Sequence, residues 1–361
     1  GHKKVEKYSL GMKQRLGIAA AILGSPDIIL LDEPINAIDG EGVEEIRSLI
    51  LSLKNEKRII IVACHDKEEM NLLADEIVHL RDGRIEGQEN GSMKFGRMLK
   101  YDLRYGTVRR FGYYLLPLLL GVADAVRQVL NYYKVRNPGT LLDHWLIMTA
   151  GTQPYQPNTL HSYKFPTIWL IMQAFMLLVV NGYTSGDLEE HGSVMIVKSR
   201  SRAGWWLSKC VWCMFSTLLA YVIYYIPMFL IFAWRGIPMK MHLTKRLVTT
   251  SVEGFLNWKT ADVCAVVLFI PVAVMMFLCL LQMLLEVVWS PAVAIILLLV
   301  IQGISAYKQS VFLWGNWGIP VRMLKTPIGY IGNLRCSIAG IIVCIVIGTI
   351  LFKRRDLLFK E

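Results

Sequence analysis

No G-x-x-x-x-G-K-S/T pattern occurs in this 361-residue chain, and no Gly-Lys dipeptide at all. The chain therefore has no phosphate-cradling loop of that type. Cysteine is nearly absent from residues 1–91, where Cys64 stands alone; the other six lie in or beside apolar runs. Cys210 and Cys213 form one C-x-x-C, but no second pair completes a zinc site. They read as small apolar residues at the start of a membrane helix. Nothing resembles a cleavable secretory signal. The basic residues flank apolar runs and form no stripe of their own, which argues against nucleic acid as a partner. No charged residue falls inside the five clearest apolar runs. An ion pump would be expected to bury carboxylates there.

Hydrophobic residues make up 54% of the chain and the mean hydropathy is +0.42, too apolar for an ordinary soluble domain of this size. Charge is divided sharply. Residues 1–91 carry 12 Lys and Arg against 17 Asp and Glu, a net −5; the whole chain is +11, so residues 92–361 carry +16. An acidic soluble piece precedes a basic, apolar one, and basic charge beside apolar spans marks a cytoplasmic membrane face.

Residues 1–91 alternate helix and strand. Helices are expected over about Met12 to Leu23, Gly42 to Leu53 and Lys67 to Ala74. Ile28 to Leu31 and Ile59 to Val62 read as strands buried on both faces. Asp82-Gly83 reads as a hairpin turn between Ile77 to Leu80 and Arg84-Ile85. Three short motifs sit at element ends. In Tyr8-Ser9-Leu10-Gly11-Met12-Lys13-Gln14-Arg15, a hydroxyl and a glycine open a helix, either as an anion site or as a plain N-cap. In Ile28-Ile29-Leu30-Leu31-Asp32-Glu33-Pro34, two carboxylates close a strand. Asp32 suits Mg²⁺ around phosphates and Glu33 suits polarising a water, unless both form a solvated acidic turn. In Ala63-Cys64-His65-Asp66, a histidine at a strand end either touches a phosphate or is a satisfied polar residue.

In this order and spacing the three motifs resemble the ATPase domain of the ABC transporter superfamily, over residues 1 to about 88. Ser9 to Gln14 resembles the signature loop, Ile28 to Glu33 Walker B with its catalytic glutamate, Asn36-Ala37-Ile38-Asp39 the D-loop, and His65 the switch histidine. Asp75 to Ile85 matches the usual close of the domain. Leu10 replaces the commoner Ser or Gly, a variant often seen in exporter ATPases. The resemblance implies catalytic roles for Glu33 and His65, nucleotide contacts from Ser9, Gly11, Gln14 and Asp39, and Mg²⁺ on Asp32. It implies ATP and Mg²⁺ as cofactors of a complete cassette only, because the P-loop and Gln-loop would precede Gly1. The chain opens in mid-motif without an initiator Met and reads as a fragment, expected to be inactive as an ATPase alone.

Beyond residue 91 the expected architecture is an all-α polytopic membrane domain of about six helices. Residues 92–110 carry Lys94, Arg97, Lys100, Arg104, Arg109 and Arg110 among Phe95, Met98, Leu99 and Tyr105, which suits an amphipathic helix on the inner leaflet. Residues 111–361 form the expected permease. Runs 165–186, 210–234, 263–285, 287–307 and 336–352 can cross roughly 30 Å of hydrocarbon. A sixth, 111–123, is short and continues into Asp124 and Arg127. It spans only if those charges face the interior or the far interface. ATP is cytoplasmic and the tail Lys353-Arg354-Arg355 is basic, so both termini of a multi-pass cell-membrane protein are expected in the cytoplasm, which an even count fits, although the expected outer segment 235–260 is unusually basic. Gly186 to Arg202 and the tail Phe352 to Leu357 resemble permeases of type-2 ABC exporters, implying that Asp187, Glu189 and Glu190 dock the ATPase.

The resulting expectation is a subunit of an ATP-driven exporter, partnered by a second subunit or a complete cassette, the lipid bilayer and an amphipathic cargo. Two rivals stand beside it. One is a permease working with a separate cassette, with residues 1–91 a remnant and a gene seam near Met93. The other is a membrane sensor or immunity protein that binds a peptide without moving it.

Overall fold

Ser9 lies in extended backbone and its Oγ accepts the Met12 N–H at 3.3 Å, so the chain becomes helical at Leu10. The helix, α1 (Leu10–Ile22), is followed by Gly24 at φ +87°, the left-handed backbone that ends helices. A computed structural model describes residues 8–36, 40–54, 58–90, 95–132, 139–156, 163, 165–188, 196, 201–244, 252–324 and 327–354. They divide into two compact units, Gly1–Phe95 with His191–Ser201, and Gly96–Glu190 with Arg202–Glu361.

The first unit continues through β1 (Ile28–Asp32), α2 (Gly40–Ser52), β2 (Ile59–Ala63), α3 (Lys67–Leu73), β3 (Glu76–Arg81) and β4 (Arg84–Asn90). Strands β1 and β2 are parallel, with Ile28 opposite Ile59 and Asp32 opposite Ala63. Strands β3 and β4 form an antiparallel hairpin through Asp82 and Gly83, both at positive φ, as a primed turn requires. Ile18, Ile29, Leu31, Ile46, Ile50 and Leu73 make the core.

The expectation that both strands are buried on two faces is corrected. Ile29 and Leu31 are buried, but Ile28, Leu30, Ile59 and Ile61 are exposed. The core side chains of α1, α2 and α3 all gather on the Ile29–Leu31 side. Among the described residues the other side has no second layer, which a parallel sheet normally needs.

Arg47 of α2 grips Glu69 of α3 with two hydrogen bonds, 2.5 and 3.0 Å, in a largely buried setting. Arg47→Met would strand a half-dry carboxylate. It is expected to destabilise the first unit by roughly 3 kcal/mol, read as faster amide exchange in α2 and α3.

From α4 (Phe95–Tyr101) onward the described residues are mostly helical. A π-helical turn (Asp102–Gly106) and α5 (Thr107–Arg109) lead into α6 (Phe111–Tyr132). Next come α7 (Leu141–Thr149), α8 (Thr167–Val180), α9 (Tyr183–Asp187) and α10 (Arg202–Trp234). The chain ends with α11 (Thr260–Cys264), a π turn (Ala265–Phe269), α12 (Ile270–Val288), α13 (Pro291–Tyr307), α14 (Pro320–Met323) and α15 (Gly329–Arg354). Among the described residues, five stretches are long and apolar enough to cross a membrane: Phe111–Asn131, Thr167–Asp187, Arg202–Trp234, Thr260–Val288 and Gly329–Lys353. Helix α13 is shorter, at 17 residues, or about 25 Å.

The run at 111–123 proves to be part of a 22-residue helix that continues through Asp124 and Arg127. Asp124 is buried and accepts the Tyr224 hydroxyl at 2.8 Å, while Arg127 pairs with it at 3.0 Å from a more exposed position. The charge thus faces the interior. Helix α6 packs along α10 so closely that a Cβ on Gly121 would lie 2.2 Å from the Tyr224 carbonyl oxygen. Backbone cannot yield there, so Gly121→Ala is expected to force the two helices apart at a cost of about 1–3 kcal/mol. A lower melting temperature in detergent is the readout.

Candidate functional site

β1 delivers Asp32 and Glu33 to the C-terminal edge of the two-stranded sheet. The Glu33 N–H donates to the Ala63 carbonyl at 2.8 Å, extending the ladder by one rung. Glu33 then turns to φ +46°, a left-handed conformation that costs a side-chain-bearing residue roughly 1–2 kcal/mol. The turn points the carboxylate toward the end of β2, where Oε1 meets His65 Nδ1 at 2.7 Å. Gln14 of α1 donates its amide to the Glu33 carbonyl at 2.5 Å. Residues from all three motifs therefore meet at Glu33.

The two oxygens of that carboxylate differ. Oε1 is held by His65, whereas Oε2 is buried and has no hydrogen-bond partner among the described residues. A buried acceptor left open costs about 1–3 kcal/mol, and a bound water or substrate proton would satisfy it. His65 is mostly exposed, and its hydrogen bond and charge attraction to Glu33 raise its pKa above the ordinary value. The raised value means the protonated imidazole is the favoured partner. Its stabilising effect is full below the unfolded-state pKa and is lost as pH rises through the raised one. In Glu33→Gln the His65 titration is expected to fall back toward an ordinary histidine, measured by NMR of the imidazole. Burial raises the thiol pKa of Cys64 next door.

Ser9 spends its hydroxyl on the Met12 N–H and is exposed. A Cβ on Gly11 would meet nothing within 4 Å, so among the described residues the helix N-terminus is open. Asp32 is exposed at the end of β1. Asp39 lies outside the described residues, as do Glu189 and Glu190. Asp187, expected as a docking residue, is corrected: it is 1% exposed, held by Lys209 at 2.6 Å and by the Trp205 ring N–H at 3.1 Å. The sequence reading also missed Asp102, Lys209 and Glu286, which are buried at or beyond the ends of the apolar runs. Their one signal was position: Lys209 and Glu286 directly abut runs 210–234 and 263–285.

Residues 1–36 match the ABC transporter family. The first unit is thus similar to part of an ABC transporter ATP-binding domain. Over 86 residues the chain is 49% identical to the uncharacterized ABC transporter ATP-binding protein YybJ of Bacillus subtilis (strain 168), covering 24% of this chain and 39% of that protein. It is 38% identical over 108 residues to the lantibiotic transport ATP-binding protein SrtF of Streptococcus pyogenes, covering 28% and 47%. It is 43% identical over 105 residues to the bacitracin transport ATP-binding protein BcrA of Enterococcus faecalis, covering 28% and 34%. The chain spans less than half the length of each of these ABC relatives. An ABC ATP-binding domain implies ATP, usually with Mg²⁺. The residues present fit that chemistry: an exposed carboxylate at Asp32, a carboxylate with one open oxygen at Glu33, and an open helix N-terminus at Ser9.

Proposed function

We propose that this chain is a subunit of an ABC exporter that couples ATP hydrolysis to moving an amphipathic cargo, most directly a peptide antibiotic, out of the cell. The observation that carries this reading is the 2.7 Å Glu33–His65 pair with its open Oε2, on a chain with five helices able to cross a membrane. The cargo class is suggested by the transport functions named for SrtF and BcrA. Residues 1–91 serve as the cassette part, 92–110 as an interfacial segment and 111–361 as the permease, with both termini cytoplasmic.

ATP supplies the anhydride whose hydrolysis releases the energy. Glu33 Oε2 takes the proton of the attacking water. His65 fixes Oε1 so that Oε2 alone is free, which makes it a positioning residue for Glu33. Gln14 anchors the strained turn, and Asp32 would hold Mg²⁺. Ser9 and Gly11 present an open helix N-terminus to phosphate. These 361 residues contain no P-loop, so hydrolysis at Glu33 requires that its own cassette be completed by one.

The test is uptake into inside-out vesicles that hold the chain with its complete cassette. ATP-dependent accumulation of bacitracin or a lantibiotic supports the proposal. ATP hydrolysis with no accumulation of either peptide removes the cargo assignment, and no ATP hydrolysis removes the exporter.

A further inference from the structure

Lys209 is 0% exposed. It lies in the second turn of α10 and bonds two carboxylates on two different elements. One is Asp102, in the π turn before the first span; the other is Asp187, the last residue of α9, 2.6 Å away. Both aspartates are buried as fully as the lysine. The ammonium also lies 4.7 Å from the Tyr183 ring centroid and 5.2 Å from that of Trp205.

The second layer binds the same three elements. Tyr183 donates its hydroxyl to Asp102 Oδ1 at 2.8 Å, and Ser208 donates to Asp102 Oδ2 at 2.5 Å. A Cβ on Gly106 would lie 2.6 Å from Trp212 Nε1 and 2.7 Å from the Tyr183 hydroxyl, so the π turn sits directly against α9 and α10. Two carboxylates share one ammonium, and Asp187 Oδ1 has no partner among the described residues.

Such a cluster is a poor source of stability, because dehydrating three charges offsets much of what their attraction returns. It is well suited to register. Asp187 and Lys209 lie on the two helices joined by residues 188–201, and their ion pair ties those helices together. Asp102 adds the segment that precedes the first span.

We propose that Lys209 is a positioning residue for transport. It latches the turn carrying Asp102 to the ends of α9 and α10 at Asp187 and Lys209, so that ATP-driven displacement of one is passed to the other. This rests on the exporter reading above.

Asp187→Asn and Asp102→Asn are the decisive variants. Each leaves Lys209 one carboxylate, a neutral one-to-one pair that keeps the charge compensated. If one variant fails to fold, the other carries the test. The full chain with its complete cassette is placed in lipid nanodiscs, and hydrogen exchange is followed with and without Mg²⁺-ATP. In the unmodified protein, ATP is expected to change exchange in both 95–110 and 183–187. In either variant the change in one segment should persist while that in the other falls at least threefold, with melting temperature shifted by only a few degrees. Variants in which both segments still respond together overturn the latch while leaving the exporter reading intact, whether or not they melt earlier. No response to ATP in the unmodified protein overturns both.

Discussion

In an assembly with a complete cassette, Glu33→Gln is expected to lower ATP hydrolysis by about 10²–10⁴-fold, the range general-base catalysis supplies. Glutamine keeps the shape of the side chain and the Ala63 and Gln14 bonds made by the Glu33 backbone. It removes the basic oxygen that is buried and has no partner among the described residues. Nucleotide binding should change less than about threefold, because the lost group acts on water and not on phosphate. Phosphate release under saturating ATP measures the first effect, and binding of a fluorescent ATP analogue the second. His65→Ala should reduce hydrolysis less, since Glu33 keeps its base but loses the partner that orients it. Residual hydrolysis within threefold of the unmodified assembly would show that Glu33 is not the base.

The second large effect is expected at Arg322. Its side chain is wholly buried, yet among the described residues it bonds only neutral oxygens: the carbonyls of Thr152, Ser305, Ala306 and Lys308 and the amide oxygen of Asn316. Ser305 and Ala306 lie in the last turn of α13, where carbonyls have no partner within the helix and the dipole favours a cation. Burial lowers the guanidinium to about 10, still well above neutral pH, so the charge is kept. Arg322→Met would orphan several buried carbonyls at about 1–3 kcal/mol each. Even after relaxation that is a large share of the roughly 5–15 kcal/mol that holds a fold together. The variant should fail to accumulate, or should melt at least about 10 °C lower in detergent. Arg322→Lys should fall between, keeping charge without the fork. A melting temperature within a few degrees of the unmodified protein would show that water replaces the cage.

The Glu33 site was legible because its parts are local. Ser9 and Gln14 stand five residues apart on one helix start, and Asp32 and Glu33 follow directly on an apolar strand. Chemistry at a strand end needs only those neighbours. That Glu33 would bond His65, 32 positions later, was not readable from either motif. It depends on β1 and β2 lying parallel and in register, Asp32 opposite Ala63, which brings the residues after them side by side.

The same contrast governs the membrane unit. Apolar runs located the long helices, because mean hydropathy measures what a helix can show to lipid. They did not give helix ends. Helix α10 begins eight residues before its apolar run, at Arg202, and α6 passes through two charges. A charged side chain stays out of lipid but not out of protein, provided a partner waits for it. For Lys209 that partner is Asp102, 107 positions away; for Asp124 it is Tyr224, 100 positions away. The sequence by itself located the long apolar helices and the strands and offered candidates for handling phosphate and water, since these follow from local periodicity and residue chemistry. Only the tertiary structure decided which charges are buried and what each one holds, because that depends on elements far apart in the chain meeting at one point.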